Sequence, residues 1–350
     1  MQELDLQEKY LINFFCERAD GLHYKEAKAN TVSPQFFIIE DLKQFISETS
    51  LNKTNYKKLL RKFKTEKELF DELLPFLDER IKSSANMALF VNNNKTVNFK
   101  GVELILFYPS GSVLNEDKHF NENIFSVVQE LPYTFRNEGK QLFSFRPDLT
   151  FFLNGIFLGF SELKSNYNNQ NARKNGRAKV GGDYLNAVQE YLQIADGNDV
   201  SQTIRKDFLK VFEKAIHITS TDLNETYVIR NIVTLFDDIK ASVVDRSFDF
   251  EIYNNKLIKA FKSYPIRNRE GNRTEKFEEV FRALYDKKMI EKEILYYNFL
   301  ERELIKKEGS KTKEYKHNDG KLISPRPKQK FGADKIMSKI NEFLEHMLSF

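Results

Sequence analysis

The chain has 350 residues, 41% of them hydrophobic and 30% charged, with a formal net charge of +4. This composition allows about two domains with buried cores, and the small net charge excludes a globally basic protein, so nucleic-acid binding would have to come from local patches. A single cysteine, Cys16, excludes an internal disulfide or a thiolate metal cluster. With no apolar stretch long enough for a membrane span and no secretion signal, we expect a cytoplasmic protein without a membrane partner.

Helical periodicity dominates the N-terminal part of the chain. Apolar residues recur at helical spacing over residues 3–19, and further helical patterns cover residues 36–90. The charge-rich run over residues 55–82 is interpreted as a solvated helical face, with a DNA-binding face as the alternative.

Strand character follows in four apolar runs, which together predict one sheet. The last two runs are separated by Asn154-Gly155, a dipeptide typical of a tight β-hairpin because both residues tolerate positive φ. The runs cover residues 96–109, 124–131, 142–153 and 156–165.

The rest of the chain is predicted to be mainly helical. After a polar loop, a helix begins at Asp183, a favourable N-cap, and ends at Gly197, and residues 214–220 form a strand candidate. Helical patterns return over residues 241–306, and Gly309 is predicted to end the last helix. The apolar face of that last helix is predicted to consist of Ile290, Ile294, Tyr297 and Leu304.

The pattern that carries chemistry is Asp148, preceded by Pro147, together with Glu162 and Lys164. Glu162 and Lys164 lie two positions apart on a predicted strand, so their side chains point to the same face. With a plain two-residue turn, residue 148 would oppose residue 161, and Asp148 would point away from Glu162. A three-residue loop or one β-bulge would place residue 148 opposite residue 162 and bring the three side chains together. A catalytic function therefore predicts an irregularity between residues 148 and 162.

Convergence of these side chains would suit metal-assisted hydrolysis of a phosphodiester. Two adjacent carboxylates repel each other unless a cation lies between them, and Mg²⁺ prefers oxygen ligands. Lys164 could orient or help to deprotonate the attacking water, or stabilise charge that develops on the phosphate. The alternative is a polar edge hairpin with an incidental salt bridge.

Residues 146–165, RPDLTFFLNGIFLGFSELKS, resemble the nuclease motif of type I restriction-enzyme R subunits, which are members of the PD-(D/E)xK superfamily. Less specific similarity extends over most of the chain from about residue 100 onward, whereas residues 1–96 resemble the helical start of the same domain only weakly. The less specific segments are residues 123–131, 212–222, 283–299 and 325–336.

The resemblance implies an α/β fold with a restriction-endonuclease-like mixed central sheet flanked by helices, followed by a helical region. It implies that Asp148 and Glu162 hold Mg²⁺ and that Lys164 is the catalytic lysine. Family members tend to carry a Gln and a Tyr four residues apart on the next helix. Here Tyr191 could be that tyrosine, but Ala187 occupies the glutamine position and the nearest glutamine is Gln189.

Several further residues have weaker indications of function. Glu8 could offer a carboxylate near the sheet, although an exposed glutamate is the default interpretation. The segment after Lys164 has no acidic residue before Asp183, so its cations could neutralise DNA phosphates, or the segment could be a solvated loop. His217 is predicted to be a core histidine and His119 a loop residue. The candidate DNA-binding cations are Arg173, Lys174, Arg177 and Lys179.

The domain organisation follows from the resemblance. We expect an endonuclease domain over residues 1–240, a helical bridge and basic linker over 241–320, and the start of a helicase-like motor over 321–350, with a new helix near Phe331. The linker segment, residues 306–330, has nine Lys and Arg against three Asp and Glu. A phosphate-binding P-loop is absent from the sequence, so we expect ATP to act only through a motor in a longer subunit.

The family implies an endonuclease that cuts DNA in a complex with methyltransferase and specificity subunits. Two alternatives stay open: a stand-alone nuclease of the same superfamily in repair or phage defence, and a catalytically silent module that binds DNA or a partner subunit. The DNA recognition sequence, the oligomeric state and the partner surfaces do not follow from this sequence.

Overall fold

The computed structural model describes residues 9–301, with gaps of which the longest are 112–117, 194–210 and 265–272, and short stretches between residues 304 and 342. The helices are α1 (Ile39–Glu48), α2 (Lys53–Leu60), α3 (Glu66–Lys82), α4 (Met87–Asn93), α5 (Arg177–Gln193), α6 (Phe250–Ala260), α7 (Arg273–Tyr285) and α8 (Lys287–Leu295). None of the helices among these residues is long and apolar enough to cross a lipid bilayer.

The strands are short, and most lie between α4 and α6. They are β1 (Lys25–Ala27), β2 (Val97–Phe99), β3 (Val102–Leu104), β4 (Phe125–Gln129), β5 (Tyr133–Asn137), β6 (Lys140–Phe145), β7 (Leu149–Leu153), β8 (Ile156–Leu163), β9 (His217–Thr221), β10 (Thr226–Ile229), β11 (Lys262–Ser263), β12 (Phe299–Glu301), β13 (Leu304–Lys306), β14 (Lys313–Tyr315) and β15 (Lys321–Ile323). Single π-helical turns lie at Asn13–Glu17 and Ala172–Gly176.

Within the described residues, the main sheet has seven strands in the order β1-β4-β7-β8-β9-β10-β11. The pairs β1–β4 and β8–β9 are parallel, and the other neighbours are antiparallel. Every residue of β7 and β8 is buried, because helices cover both faces of the sheet. The expected mixed central sheet flanked by helices is confirmed.

The two faces of the sheet support separate hydrophobic cores. One core joins Phe151 and Leu163 to apolar residues of α1–α4, α7 and α8. The other joins Phe152 and Phe160 to α5 and α6. A side chain on β7 or β8 therefore belongs either to the α7 face or to the α5 face of the sheet.

The Asn154-Gly155 turn has the predicted conformation. Asn154 has φ of 51° and Gly155 has φ of 76°. The Asn154 side chain also accepts a hydrogen bond from the Ile124 N–H at 2.7 Å and donates to the Leu106 carbonyl at 2.8 Å. A Cβ on Gly155 would lie 2.4 Å from the Ile38 carbonyl oxygen, so the turn is fixed both by its own residues and by the entry of α1.

The prediction that the four apolar runs form one sheet is wrong in two places. In the first run, β2 and β3 form a separate hairpin around Lys100 and Gly101, which both have positive φ. The run over residues 142–153 divides into β6, which pairs with β5, and β7 of the main sheet. The break falls at Pro147, which has no N–H to donate to a strand ladder.

Helix boundaries also differ from the predictions. α5 begins at Arg177, so Asp183 is inside the helix and not its N-cap. α8 ends at Leu295, where the Asn298 side chain donates to the Glu293 carbonyl, and Leu304 lies in β13.

The structure describes only parts of the predicted basic linker and of the predicted N-terminal helix. The segment predicted as a basic linker contains β14 and β15. The described part of the predicted N-terminal helix contains the π-helical turn. Gly197 and Gly309 lie outside the described residues, and the three-domain division stays a prediction.

Candidate active site

A β-bulge in the β7–β8 hairpin sets the register of the candidate site. Next to the turn, Leu153 pairs with Ile156, and Phe152 pairs with Phe157. The register then shifts by one residue, so that Phe151 pairs with Gly159 and Leu149 pairs with Ser161. The next opposed positions are Asp148 and Glu162. The irregularity that convergence requires is therefore present.

The core residues show how this bulge changes the direction of side chains along β8. Before the bulge, Ile156 and Leu158 pack in the core on the α7 face. After it, Phe160 packs on the α5 face and Leu163 on the α7 face. Because side chains alternate along a strand, Glu162 and Lys164 share the α5 face with Phe160. Without the extra residue, both charged side chains would point into the core around α7.

Gly159 lies at the bulge and allows β9 to approach β8 closely. A Cβ at this position would lie 2.3 Å from the His217 carbonyl oxygen. Glycine is therefore required at the point where the strand shifts register.

Glu162 is the centre of the candidate site. Its side chain is fully buried, and its Oε1 accepts hydrogen bonds from Lys164 Nζ and Lys179 Nζ, each at 2.6 Å. Its Oε2 is also buried and has no hydrogen-bond partner among the described residues. A buried carboxylate oxygen without a partner is costly, so this atom marks a position that a further cation would stabilise.

Asp148 lies beside Glu162 at the start of β7. Its Oδ2 accepts a hydrogen bond of 2.5 Å from the Leu163 N–H. Burial, and next the negative charge of Glu162, raise the pKa of Asp148 to about 7, although the Leu163 N–H and the amines of Lys179 and Lys164 act in the opposite direction. The two carboxylates therefore repel each other in the absence of a metal ion.

The first turns of α5 add Lys179 and Asp183 to this cluster. Residues four apart on a helix lie on one face, and here that face is directed at Glu162. Burial raises the pKa of Asp183 to about 7, with a lowering effect of Lys179 and a smaller raising effect of Glu162. The predicted positions of Lys179 in a loop and of Asp183 at an N-cap are wrong, because α5 begins six residues earlier than predicted. Their i, i+4 spacing was the available signal.

The approach of α5 to the strand ends depends on the preceding turn. The Asn171 side chain accepts a hydrogen bond from the Lys174 N–H, and the Ala172 N–H donates to Asp222 at 2.7 Å. A Cβ on Gly176 would lie 2.1 Å from Ser220 Oγ and 3.2 Å from Lys164 Cγ. This glycine lets the helix entry pack directly against the aliphatic part of the buried lysine.

The other predicted cations are located near the site but differ in their contacts. Arg173 donates to Glu225 at 2.9 Å, yet its side chain is 67% exposed. Arg177 donates to a backbone carbonyl of α6 and lies 4.1 Å from the centre of the Tyr227 ring. Lys174 is exposed. The segment is thus an ordered π-helical turn and helix start, in contrast to the solvated loop that was the alternative.

Five other residues were considered from the sequence. Glu8 lies outside the described residues, as do the side chains of Gln189 and Tyr191, whose backbone belongs to α5. His217 is buried and packs against the Tyr285 ring at 4.8 Å, as predicted for a core histidine. His119 is exposed and contacts Ser50 and Glu122.

Asp148 and Glu162, with Asp183 of α5 beside them, suit a hard cation that keeps part of its water shell. No group of three or more His, Cys, Asp or Glu side chains arranged to hold a metal occurs among the described residues. Mg²⁺ in nucleotide-processing sites commonly uses one or two carboxylates and completes its octahedral shell with water and phosphate oxygens. The orphaned Glu162 Oε2 and the repulsion between Asp148 and Glu162 fit that kind of ion.

Comparison with known protein families matches residues 39–204 to a model described as "Type I restriction enzyme R protein N terminus". The matched segment includes the β7–β8 hairpin and the start of α5. It also includes the five charged residues of the site, which we call the hairpin cluster: Asp148, Glu162, Lys164, Lys179 and Asp183. A search of curated proteins gave no match.

Proposed function

We propose that this chain is the endonuclease module of a type I restriction subunit, because residues 39–204 match the family model of type I restriction enzyme R protein N termini. Its reaction would be Mg²⁺-dependent hydrolysis of phosphodiester bonds in DNA. The observation that carries the proposal is the β-bulge, because it places Asp148 opposite Glu162 and turns both toward the amines of Lys164 and Lys179.

Asp148 and Glu162 would hold the metal ion. Bound there, Mg²⁺ would supply Lewis-acid polarisation of a phosphoryl oxygen. The Leu163 N–H fixes Asp148 Oδ2, and Lys164 fixes Glu162 Oε1, so both carboxylates are oriented by the last residue of β8 and the residue after it. Such fixed geometry lowers the cost of reorganisation during the reaction.

The two lysines would have different roles. Lys164 is buried and also donates to the Leu163 carbonyl at 2.9 Å, so it stays close to the reacting phosphate and can orient the attacking water or stabilise negative charge. The Lys179 side chain is 40% exposed and is attached to a helix at the rim of the site. It can leave Glu162 and contact a phosphate of the incoming strand.

The family also suggests the setting in which the module acts. We propose that cleavage occurs in a complex with methyltransferase and specificity subunits, with the recognition sequence set by the specificity subunit. ATP would act through a motor that brings DNA to this site, since the chain itself contains no P-loop sequence.

Metal binding tests this proposal without requiring the partner subunits. The thermal unfolding midpoint should rise with increasing MgCl₂, because binding to the folded state alone stabilises it. Asp148→Ala should abolish this rise. Asp71→Ala is a matched control, because it removes an exposed carboxylate of α3 with the same change in charge.

Two outcomes would contradict the proposal. If Mg²⁺ does not stabilise the wild-type chain, the hairpin cluster is not a metal site, and a silent binding module becomes the better description. If Asp148→Ala is stabilised by Mg²⁺ as strongly as the wild type and the Asp71→Ala control are, the ion binds elsewhere.

A further inference from the structure

A second surface with functional potential lies on α2 and the turn after it. Residues 49–65 contain six basic residues and no acidic residue. All six basic side chains belong to exposed residues. We call this group the α2 basic surface, and it consists of Lys53, Lys57, Lys58, Arg61, Lys62 and Lys64.

The arrangement on the helix separates the charges from the core. Tyr56 and Leu59 are buried and lie close together on one side of α2. At 100° per residue, Lys53, Lys57 and Lys58 occupy the opposite arc, and Arg61 and Lys62 continue it into the turn. Apart from Thr54, the outer face of α2 consists of basic residues.

None of these six cations forms an ion pair with a carboxylate in the described part of the chain. The nearest acidic residue along the chain, Glu66, pairs instead with Lys43 at 2.5 Å. Lys58 donates to the side-chain oxygen of Asn55, at 3.1 Å. Among the residues that the structure describes, no carboxylate neutralises the positive charge of the α2 basic surface.

Such a face is unfavourable for a helix whose only role is structural. Lys53 with Lys57, and Lys57 with Arg61, are like-charged neighbours one turn apart, and each such pair destabilises a helix by a few tenths of a kcal/mol. The helix dipole favours cations only in the last turn, which accounts for Lys57 and Lys58 but not for Lys53 or Lys64. The next helix, α3, mixes acids and bases over the sequence EKELFDELLPFLDERIK, as an ordinary solvated face does.

The charge is also local. The whole chain has a net charge of +4, and residues 49–65 alone contribute +6, so the remainder carries −2. A basic surface on an otherwise slightly acidic protein fits a polyanion with closely spaced charges, and duplex DNA has about one negative charge per 1.7 Å of helix axis.

We propose that the α2 basic surface binds the sugar-phosphate backbone of duplex DNA, independently of base sequence. It is separate from the hairpin cluster, and its action does not depend on hydrolysis there. Contacts of this kind fix the position of a duplex without specifying its sequence. This revises the interpretation of the charge-rich run as only a solvated face.

The experiment measures binding of a fluorescent 30-base-pair duplex in EDTA over a series of salt concentrations. Lys57→Gln combined with Lys58→Gln should weaken binding by about tenfold or more at low salt and reduce the slope of log K against log salt by about 2. Lys256→Gln combined with Lys259→Gln is the matched control, because it removes the same charge from exposed residues of α6, a helix that also carries Glu251. The control should change the slope much less.

Three outcomes would overturn the inference. The first is an unchanged affinity of the α2 variant. The second is an equal loss in the α2 and α6 variants, which would indicate only a dependence on net charge. The third is that polyglutamate of matched charge binds the wild type as tightly as the duplex does, and that the α2 variant loses as much affinity for polyglutamate as for the duplex. This result would favour an acidic protein as the partner. Because the assay contains no metal, a failure here is distinct from a failure of the proposed hydrolysis.

Discussion

Asp148→Asn should stabilise the metal-free protein at high pH. In the folded state, burial and the Glu162 carboxylate raise the pKa of Asp148 to about 7, compared with 3.8 for an unperturbed aspartate. The folded protein therefore binds this proton more tightly than the unfolded chain does. Asparagine keeps an oxygen that can accept from the Leu163 N–H but has no charge to bury.

The magnitude follows from linkage between protonation and folding. Below pH 3.8 both states are protonated, and the stabilising contribution of the proton is complete. As pH rises toward 7, the unfolded chain is already ionised and the folded protein progressively loses this contribution. Between pH 5 and pH 7 the stabilising free energy of this proton falls by about 1.4 kcal/mol for each pH unit. Asp148 therefore accounts for a loss of about 3 kcal/mol between pH 5 and pH 8. Asp148→Asn should lack this part of the pH dependence.

Urea unfolding in EDTA at pH 5 and pH 8 measures the effect. The free energy of unfolding of the wild type should fall by more than that of Asp148→Asn over this interval, with a difference of about 3 kcal/mol. Asp183 titrates in the same range and contributes to both proteins equally. A wild type and a variant with parallel pH profiles would refute the conclusion that Asp148 is a buried, repelled carboxylate.

Three further substitutions test the turn, the loop anchor and the second lysine. Gly155→Ala should lower the free energy of unfolding by at least about 2 kcal/mol, because it combines positive φ with a methyl group 2.4 Å from the Ile38 carbonyl, and urea unfolding measures this. Asp222→Ala should cost about 3 kcal/mol in the same assay, because the carboxylate accepts three buried or half-buried backbone N–H groups. Lys179→Met should increase the stabilisation by MgCl₂ by about 1 kcal/mol, given the partial exposure of the lysine, because the ion then replaces a missing cation at Glu162. A larger rise of the unfolding midpoint with MgCl₂ measures this.

Matched substitutions serve as controls for two of these, Gly155→Ala and Lys179→Met. Gly332→Ala should be neutral, because an added Cβ there meets no atom within 4 Å. Lys174→Met, an exposed lysine one turn before the helix, should leave the Mg²⁺ response unchanged. If Gly155→Ala is as well tolerated as Gly332→Ala, or if the two lysine variants respond alike to Mg²⁺, the corresponding argument is wrong.

The local features of the site could be predicted from the sequence. Asn154-Gly155 adopts the tight turn because both residues tolerate positive φ, and that preference depends on nothing distant. The identity of the carboxylates and the lysine, and the flanking apolar runs, were likewise local signals. They confined the predicted chemistry to Asp148, Glu162 and Lys164.

Boundaries that depend on neighbouring elements were not predictable in this way. α5 begins at Arg177 because the turn before it is held by Asp222, a residue fifty positions away along the chain. Lys179 and Asp183 face Glu162 only as a result of that earlier start. β2 and β3 separated from the main sheet because their own tight turn competed with longer-range pairing.

The sequence by itself determined which residue types occur at the hairpin. It did not determine whether their side chains lie on the same face of the sheet. With a turn of two residues alone, the Asp148 side chain points away from that of Glu162, whereas one additional residue places both side chains on the same face. Local propensity does not distinguish these two registers. Tertiary packing decided it. Only with the bulge beside Gly159 do Phe160 and Leu163 each reach a hydrophobic core while Glu162 and Lys164 meet α5, because the side-chain period of a strand is two and one inserted residue exchanges its faces.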